Sequence, residues 1–159
     1  MHRNAGSRSR ASASIVLLLT ALITALGTLG VAAPAQATTT WRSEVPHYAA
    51  TRAGDPYVYG AAGPTRFDCS GLTMFVYRHF GKSLPHSSAQ QYSVMHHVAQ
   101  SQKVPGDLLF FRNSSGRISH VAIYAGPHNG KPYMWHAPHS GDVVRYVPIY
   151  SSNYLVGRL

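Results

Sequence analysis

The apolar pattern of this chain changes its period near Pro105, and this change constrains the possible folds more than any other feature. Before it, apolar residues recur at helical spacing, most clearly from Cys69 to Gly81. After it come short apolar or alternating runs separated by Gly, Pro and Asn turns, which are typical of strands. The predicted strands cover 107–112, 119–125, 133–137, 143–147 and 154–158. This order predicts an α+β fold, with N-terminal helices packed on an antiparallel sheet of about five or six strands.

Two further helices are predicted before Pro105. One covers Pro46–Ala53, because Gly54 and Pro56 end it. The other begins at Ser88 and runs toward Val94, because Ser88 and Gln91 resemble a capping box.

The first 37 residues have the features of a secretory signal peptide. Three arginines precede a largely apolar stretch from Ile15 to Val31, and Ala35-Gln36-Ala37 fits an A-x-A cleavage site. An uncleaved membrane anchor is the alternative, and the small-residue site directly after the apolar run argues against it. We therefore expect a secreted protein with no stable membrane insertion after cleavage.

Cleavage after Ala37 would leave a short linker over 38–45 and one domain over 46–159. A domain of this size can bury a single core without disulfides. Loss of the three N-terminal arginines lowers the formal net charge from +9 to +6. Because the remaining basic residues are scattered, nucleic acid is a poor candidate partner, and an anionic polymer such as a bacterial cell wall suits the charge better. We expect a monomer.

Cys69 is the only cysteine in a chain that also carries an export signal. A lone thiol has no partner for an internal disulfide, so its presence needs another reason. At the start of a helix, the partial positive charge of the helix end favours a thiolate. The sequence therefore predicts an exported cysteine hydrolase, with a thiol that ionises well below the free value of about 8.5.

Two histidines are candidates for the groups that assist this thiol. His120 lies inside a predicted strand and is the candidate base, and His136, in the next strand, is the candidate orienting group. Side chains alternate along a strand, and the two positions are separated by an even number of residues. A hairpin register that pairs 120 with 136, or is offset by two, puts both rings on one face. Ala122 and Tyr124 should share that face.

Six motifs resemble, in order, those of the NlpC-type cell-wall cysteine peptidases. They are Tyr57-Val58-Tyr59-Gly60, Phe67-Asp68-Cys69-Ser70-Gly71-Leu72, Ser88-Ala89-Gln90-Gln91, Pro105-Gly106-Asp107-Leu108, Ser119-His120-Val121-Ala122-Ile123-Tyr124 and His136-Ala137-Pro138. The resemblance covers roughly 46–159, and it implies a compact papain-like fold that hydrolyses peptidoglycan stem peptides. The bond most often cut in that family joins γ-D-glutamate to diaminopimelate or lysine.

The resemblance also implies roles for individual residues. Cys69 is the expected nucleophile, His120 the base and His136 the third polar residue. The candidate substrate-binding residues are Tyr57, Asp68, Ser70 and Ser119. No metal or organic cofactor is implied.

Several positions depart from the family pattern. Tyr59 stands where tryptophan is common, Ala61 replaces a second glycine, and His86 replaces a frequent arginine after Leu-Pro. The loop 127–132 between the two catalytic histidines is longer than usual. These departures leave the candidate triad intact and concern substrate preference.

The remaining histidines and tyrosines have simpler interpretations. His136-x-x-His139 lacks further ligands at metal spacing, so solvated or packing histidines are favoured. Five tyrosines could stack on sugars, but aromatic residues of strands are more often part of the core. They are Tyr92, Tyr133, Tyr146, Tyr150 and Tyr154.

The sequence thus predicts a secreted cysteine endopeptidase acting on peptidoglycan. One alternative keeps the fold and changes the bond, giving an N-acetylmuramoyl-L-alanine amidase. Another is a non-catalytic module that binds the cell wall through a decayed site. A secreted toxin, or a hydrolase of host or competitor walls, would use the same chemistry in a different role.

Overall fold

The computed structural model describes residues 40–159, and the predicted signal peptide lies outside the described residues. Three α-helices cover Thr40–Ala50 (α1), Cys69–His79 (α2) and Ser88–Ser93 (α3). Six strands cover His96–Val98 (β1), Leu108–Arg112 (β2), Ile118–His128 (β3), Lys131–His136 (β4), Arg145–Pro148 (β5) and Tyr154–Arg158 (β6). No helix within residues 40–159 is long and apolar enough to cross a membrane.

The strands form one antiparallel sheet in the order β1-β6-β2-β3-β4-β5. Helices followed by an antiparallel sheet confirm the α+β prediction. Strand β1 was not predicted, because its His96-His97-Val98 sequence has neither alternation nor a β-branched run and two of its residues are exposed.

Helix α1 differs from the helix predicted over Pro46–Ala53. It begins at Thr40, so most of the linker predicted over 38–45 is helical, and it ends at Ala50. Pro46 lies inside it and has no N–H to bond the carbonyl of Arg42. Gly106 packs against that carbonyl so closely that an added Cβ would lie 2.3 Å from its oxygen. Pro46 therefore lies inside α1, with the Arg42 carbonyl packed against Gly106.

Helices α2 and α3 begin at polar caps. Asp68 is the N-cap of α2 and accepts a hydrogen bond from the Gly71 amide at 2.7 Å. The N-cap of α3 is Ser87 rather than the predicted Ser88. Gln91 is fully buried and donates to the carbonyls of Ser70 and Pro85, so it forms no capping box.

The sheet has a different apolar cluster on each face, and the alternation along β3 decides which side chain joins which. Val121 and Ile123 belong to the core shared with the helices. Ala122 and Tyr124 belong to a second cluster built from strands and loops alone. This alternation confirms that Ala122 and Tyr124 share the His120 face. That face lies away from the helix core, whereas we expected it to point toward the N-terminal end of the Cys69 helix.

Candidate active site

The register of the β3–β4 hairpin brings the two candidate histidines together. Ile123 pairs with Trp135 and Tyr124 with Met134, an offset of two from the 120–136 pairing that keeps both histidines on one face. The His120 Nε2 lies 3.0 Å from the His136 Nδ1. The even register predicted from the spacing is therefore confirmed.

A bulge separates this part of the hairpin from its tip. The register shifts between Tyr124 and Gly126, and the outer pairs run from Gly126–Tyr133 to His128–Lys131. The shift lies on the tip side of the histidines, so the inner register that aligns them is not affected.

Cys69 is the first residue of α2 and lies half-buried against β3. The pairing of β3 with β4 begins at Ile123, and the backbone N–H of Val121 bonds the sulfur. The nucleophile candidate thus contacts the residue next to His120. Among residues 40–159 no direct Cys69–His120 hydrogen bond is formed, and since His136 occupies Nε2, Nδ1 is the ring nitrogen left for the thiol.

The ionisation predicted for Cys69 is wrong. Burial raises the pKa of the Cys69 thiol, and the negative charge of Asp68 raises it further. Backbone N–H groups of Val121, Ser70 and Cys69 itself oppose this rise without reversing it. The helix end favours the thiolate, but the cost of burying a charged sulfur beneath a strand is larger.

The two histidines are also held in their neutral forms. Burial lowers the pKa of His120 to about 4, and the charge of His139 acts in the same direction. Burial lowers the pKa of His136 to about 3, helped by His120 and Arg145. At neutral pH the resting site therefore contains a neutral thiol and two neutral imidazoles, and His120 is free to accept a proton.

His136 is positioned almost entirely by its contact with His120. Its side chain is buried, with 2% of the residue exposed, and its Nε2 has no hydrogen-bond partner within residues 40–159. If His120 accepts a proton at Nδ1, its Nε2–H donates to the His136 Nδ1. This arrangement suits an orienting group rather than a second base.

A cavity of about 360 Å³ opens beside Cys69, and neither His120 nor His136 lines it. All four predicted substrate-binding residues line it, namely Tyr57, Asp68, Ser70 and Ser119. Its wall also contains residues that the sequence reasoning did not propose: Tyr59, Gly60, His86, Ser87 and Ser88. Burial raises the pKa of Tyr57, and Cys69 and Asp68 add to this rise.

Asp68 is the most heavily hydrogen-bonded group of this wall. It accepts from the Gly60 amide at 2.9 Å and from the Ser70 hydroxyl at 3.1 Å, in addition to the Gly71 amide. The Nε2 of His86 lies 2.9 Å from its Oδ2. In the sequence, the histidine at position 86 in place of the family's frequent arginine could have drawn attention to this residue. The Ser70 hydroxyl donates its hydrogen bond to Asp68, another residue of the cavity wall.

Tyr150 lies beside the histidine pair, although the sequence favoured a core position for it. It is 62% exposed, and its ring stacks on Phe111 with centroids 5.3 Å apart and an interplanar angle of 20°. Its centroid is 6.0 Å from that of His136. The polar segment Ser151-Ser152-Asn153 that follows Tyr150 is typical of a loop, and it could have indicated an exposed position for this tyrosine.

His139 is exposed and its Nε2 lies 3.7 Å from Asp142. Within residues 40–159 no three His, Cys, Asp or Glu side chains form a group suited to a metal ion.

A half-buried cysteine at a helix start, next to a strand that carries one of two paired histidines, defines the class of cysteine–histidine sites on an α+β scaffold. The model of the NlpC/P60 family matches residues 54–156, and the chain belongs to this family. The protein of Listeria monocytogenes named "Probable endopeptidase p60" is 47% identical over 107 residues, which are 65% of this chain and 21% of that protein. The chain spans about a fifth of the length of such curated relatives.

Solved structures show the same fold. The NlpC/P60 domain of the peptidoglycan hydrolase SagA superposes with a TM-score of 0.64 at 31% identity, covering 74% of this chain and 97% of that one. RipD of Mycobacterium tuberculosis superposes with a TM-score of 0.63 at 27% identity, covering 75% and 97%. RipD is described as a non-catalytic NlpC/P60 domain protein adapted to peptidoglycan binding, so the fold alone does not establish catalysis.

Proposed function

We propose that this protein is a secreted cysteine endopeptidase that hydrolyses peptidoglycan stem peptides. The observation that carries the proposal is the His120–His136 pair, 3.0 Å apart, beside Cys69 at the start of α2. Family membership and relatives named as endopeptidases and a peptidoglycan hydrolase support this substrate class. The signal-peptide features of residues 1–37 support export to the cell wall.

The neutral resting site favours proton transfer during the attack. The Cys69 proton passes to the His120 Nδ1 as Sγ bonds to the amide carbonyl carbon, and His136 steadies the imidazolium through Nε2–H. The backbone N–H of Cys69, at the N-terminus of α2, stabilises the oxyanion. His120 then protonates the leaving amine, which departs and leaves a thioester on Cys69.

Water completes the reaction by the reverse sequence of proton transfers. His120 takes a proton from water as its oxygen attacks the thioester, and returns that proton to the sulfur when the acid product leaves. The proposed bond is the one between γ-D-glutamate and the diamino acid.

The likeness to RipD keeps a non-catalytic wall-binding function as the second candidate. Against it, the nucleophile and both histidines are present, and the pair is assembled. A binding module has no need of a base held neutral by burial beside a thiol.

Incubation of the purified protein with defined muropeptides, followed by mass spectrometry of the products, tests the proposal. Cleavage after γ-D-glutamate is expected, whereas an amidase would release the intact stem from the muramyl sugar. Cys69→Ala should abolish cleavage and leave the melting temperature within a few degrees of wild type. Equal product formation by wild type and Cys69→Ala would refute the cysteine mechanism. Wall binding by wild type without any product would favour the binding module.

A further inference from the structure

We propose that Tyr150 and Arg145 form the subsite for the leaving fragment, and that this subsite selects fragments ending in a free carboxylate. The inference rests on the proposed peptidase function and deepens it. It concerns the histidine side of Cys69, outside the cavity lined by Tyr57, Asp68 and His86.

The chemistry of amide cleavage decides which side receives the leaving fragment. The general acid must lie next to the nitrogen that it protonates, within hydrogen-bond reach. His120 and His136 lie on one face of the β3–β4 hairpin, and neither of them lines the cavity of about 360 Å³ that contains Cys69. The acyl part of the substrate therefore occupies that cavity, and the leaving amine lies on the histidine side.

Tyr150 is the exposed aromatic group on the histidine side. Stacking on Phe111 fixes its ring, so its 62% exposure is not accompanied by free rotation. Burial raises the pKa of its hydroxyl, Arg145 opposes this and Cys69 adds to it, which places the hydroxyl within electrostatic range of both groups. Tyr150 also lines a groove of about 340 Å³ together with Gln100 and Pro132. A peptide chain leaving Cys69 past His136 thus meets a fixed aromatic wall.

Arg145 supplies the positive charge of this side. It is the strand partner of His136, and directly opposed residues share a face, so its side chain lies on the histidine side. Its guanidinium is 2.9 Å from Asp142 and its side chain is 47% exposed, which leaves donors for a second acceptor. Its charge helps to lower the pKa of His136 and opposes the rise in the pKa of Tyr150.

A guanidinium and a phenol ring that both lie near His136 match a carboxylate, which can accept from the guanidinium and from the hydroxyl. An acyl-side carboxylate is not expected here, because that part of the substrate lies across Cys69. The favoured substrates are therefore peptides whose released fragment carries a free carboxylate, and fragments with an amidated terminus should be poorer.

The test uses two synthetic stem peptides with the same scissile bond, one ending in a carboxylate and one in a carboxamide. For the wild-type protein we expect kcat/KM to be about tenfold higher for the carboxylate form. Arg145→Gln should reduce this ratio to about one to two, mainly by raising KM for the carboxylate peptide. Tyr150→Ala should raise KM for both peptides, because the aromatic ring is lost. Tyr150→Phe should keep the ring but weaken the preference for the carboxylate peptide, because the hydroxyl is lost.

Two controls separate recognition from structure. Asp142→Asn removes the carboxylate that competes for Arg145, so the preference should increase, and an unchanged or smaller ratio contradicts the proposal. Arg78→Gln makes the same charge change in the last turn of α2 and should leave the ratio as in wild type. Melting temperatures of all variants identify any that fail to fold.

Binding distinguishes failure of this subsite from failure of the proposed function. Cys69→Ala is titrated calorimetrically with both peptides, alone and combined with Arg145→Gln. A carboxylate preference that Arg145→Gln removes supports the subsite even if the wild-type protein cleaves neither peptide. Equal carboxylate-to-amide ratios with and without Arg145, in binding or in cleavage, overturn it.

Discussion

Replacing His120 with glutamine should make the fold less sensitive to acid, and this tests whether the resting site is neutral. Burial lowers the pKa of folded His120 to about 4, whereas an unfolded histidine titrates near 6.5. Since the folded pKa is the lower one, stability is fully present above about pH 6.5 and is lost as pH falls toward 4. Glutamine cannot take up that proton.

The size of the effect follows from the two pKa values. At about pH 5 the unfolded histidine is almost fully protonated and folded His120 is largely neutral. The difference costs about 2 kcal/mol of the free energy of unfolding relative to about pH 7.5. Because His120 is partly accessible to solvent, this figure is an upper estimate. Removing His120 also relieves His136 of a neighbouring charge, which adds to the change in the same direction.

The measurement is urea unfolding of wild type and His120→Gln at about pH 7.5 and about pH 5, comparing the acid-dependent loss rather than the stabilities themselves. His47→Gln is the matched control, because it removes an exposed histidine of α1 and keeps the buried pair. The acid-dependent loss in the free energy of unfolding should be smaller by up to about 2 kcal/mol in His120→Gln than in wild type. His47→Gln should retain the part of this loss that comes from His120 and His136.

The opposite sign would refute the reasoning. If the resting site were a thiolate–imidazolium pair, the pKa of His120 would be raised, and its contribution to stability would be present at acid pH and lost as pH rises. Removing His120 would then increase the acid-dependent loss. An equal loss in wild type and variant would show that His120 is not desolvated as the structure implies.

Three further predictions concern the same site. The rate of Cys69 alkylation by iodoacetamide should have its midpoint above the free-thiol value of about 8.5, and a midpoint below it would contradict the effect of burial. His136→Ala should lower kcat less than His120→Ala does, because an orienting group does not itself transfer the proton; equal losses in muropeptide assays would argue against that division. Gly71→Ala should destabilise the fold by about 1–3 kcal/mol, since its Cβ would lie 2.0 Å from the Ala61 carbonyl oxygen, and an unchanged melting temperature would refute this.

Local rules predicted the parts of the site that depend on period and spacing. The even separation of His120 and His136 allowed both rings to lie on one face, and the observed register of the hairpin puts them there. Gly81 marked the end of α2, and it follows that helix with a positive φ of 70°. These features depend on residues close in sequence, and the structure agrees with them.

The features that the sequence did not reveal depend on tertiary neighbours. The first helix was predicted to begin at Pro46, but Pro46 lies inside α1. Gly106, 60 positions away in sequence, packs against the Arg42 carbonyl that this proline leaves without its helical hydrogen bond. The thiol was expected to be acidic because burial by β3 cannot be read from the residues around Cys69. Tyr150 was expected in the core, but its ring stacks on Phe111 and remains largely exposed to solvent.

The bulge between Tyr124 and Gly126 has an evolutionary consequence. Its outer side carries the tip of the hairpin and its inner side carries the pairs that align His120 with His136. A bulge takes up one extra residue by a local twist, so changes in length at the tip need not pass inward. Drift at the hairpin tip, residues 127–132, can therefore reshape the rim of the molecule from one descendant to another while the two imidazoles stay in register. The hairpin separates a segment open to variation from one that selection on catalysis would hold fixed.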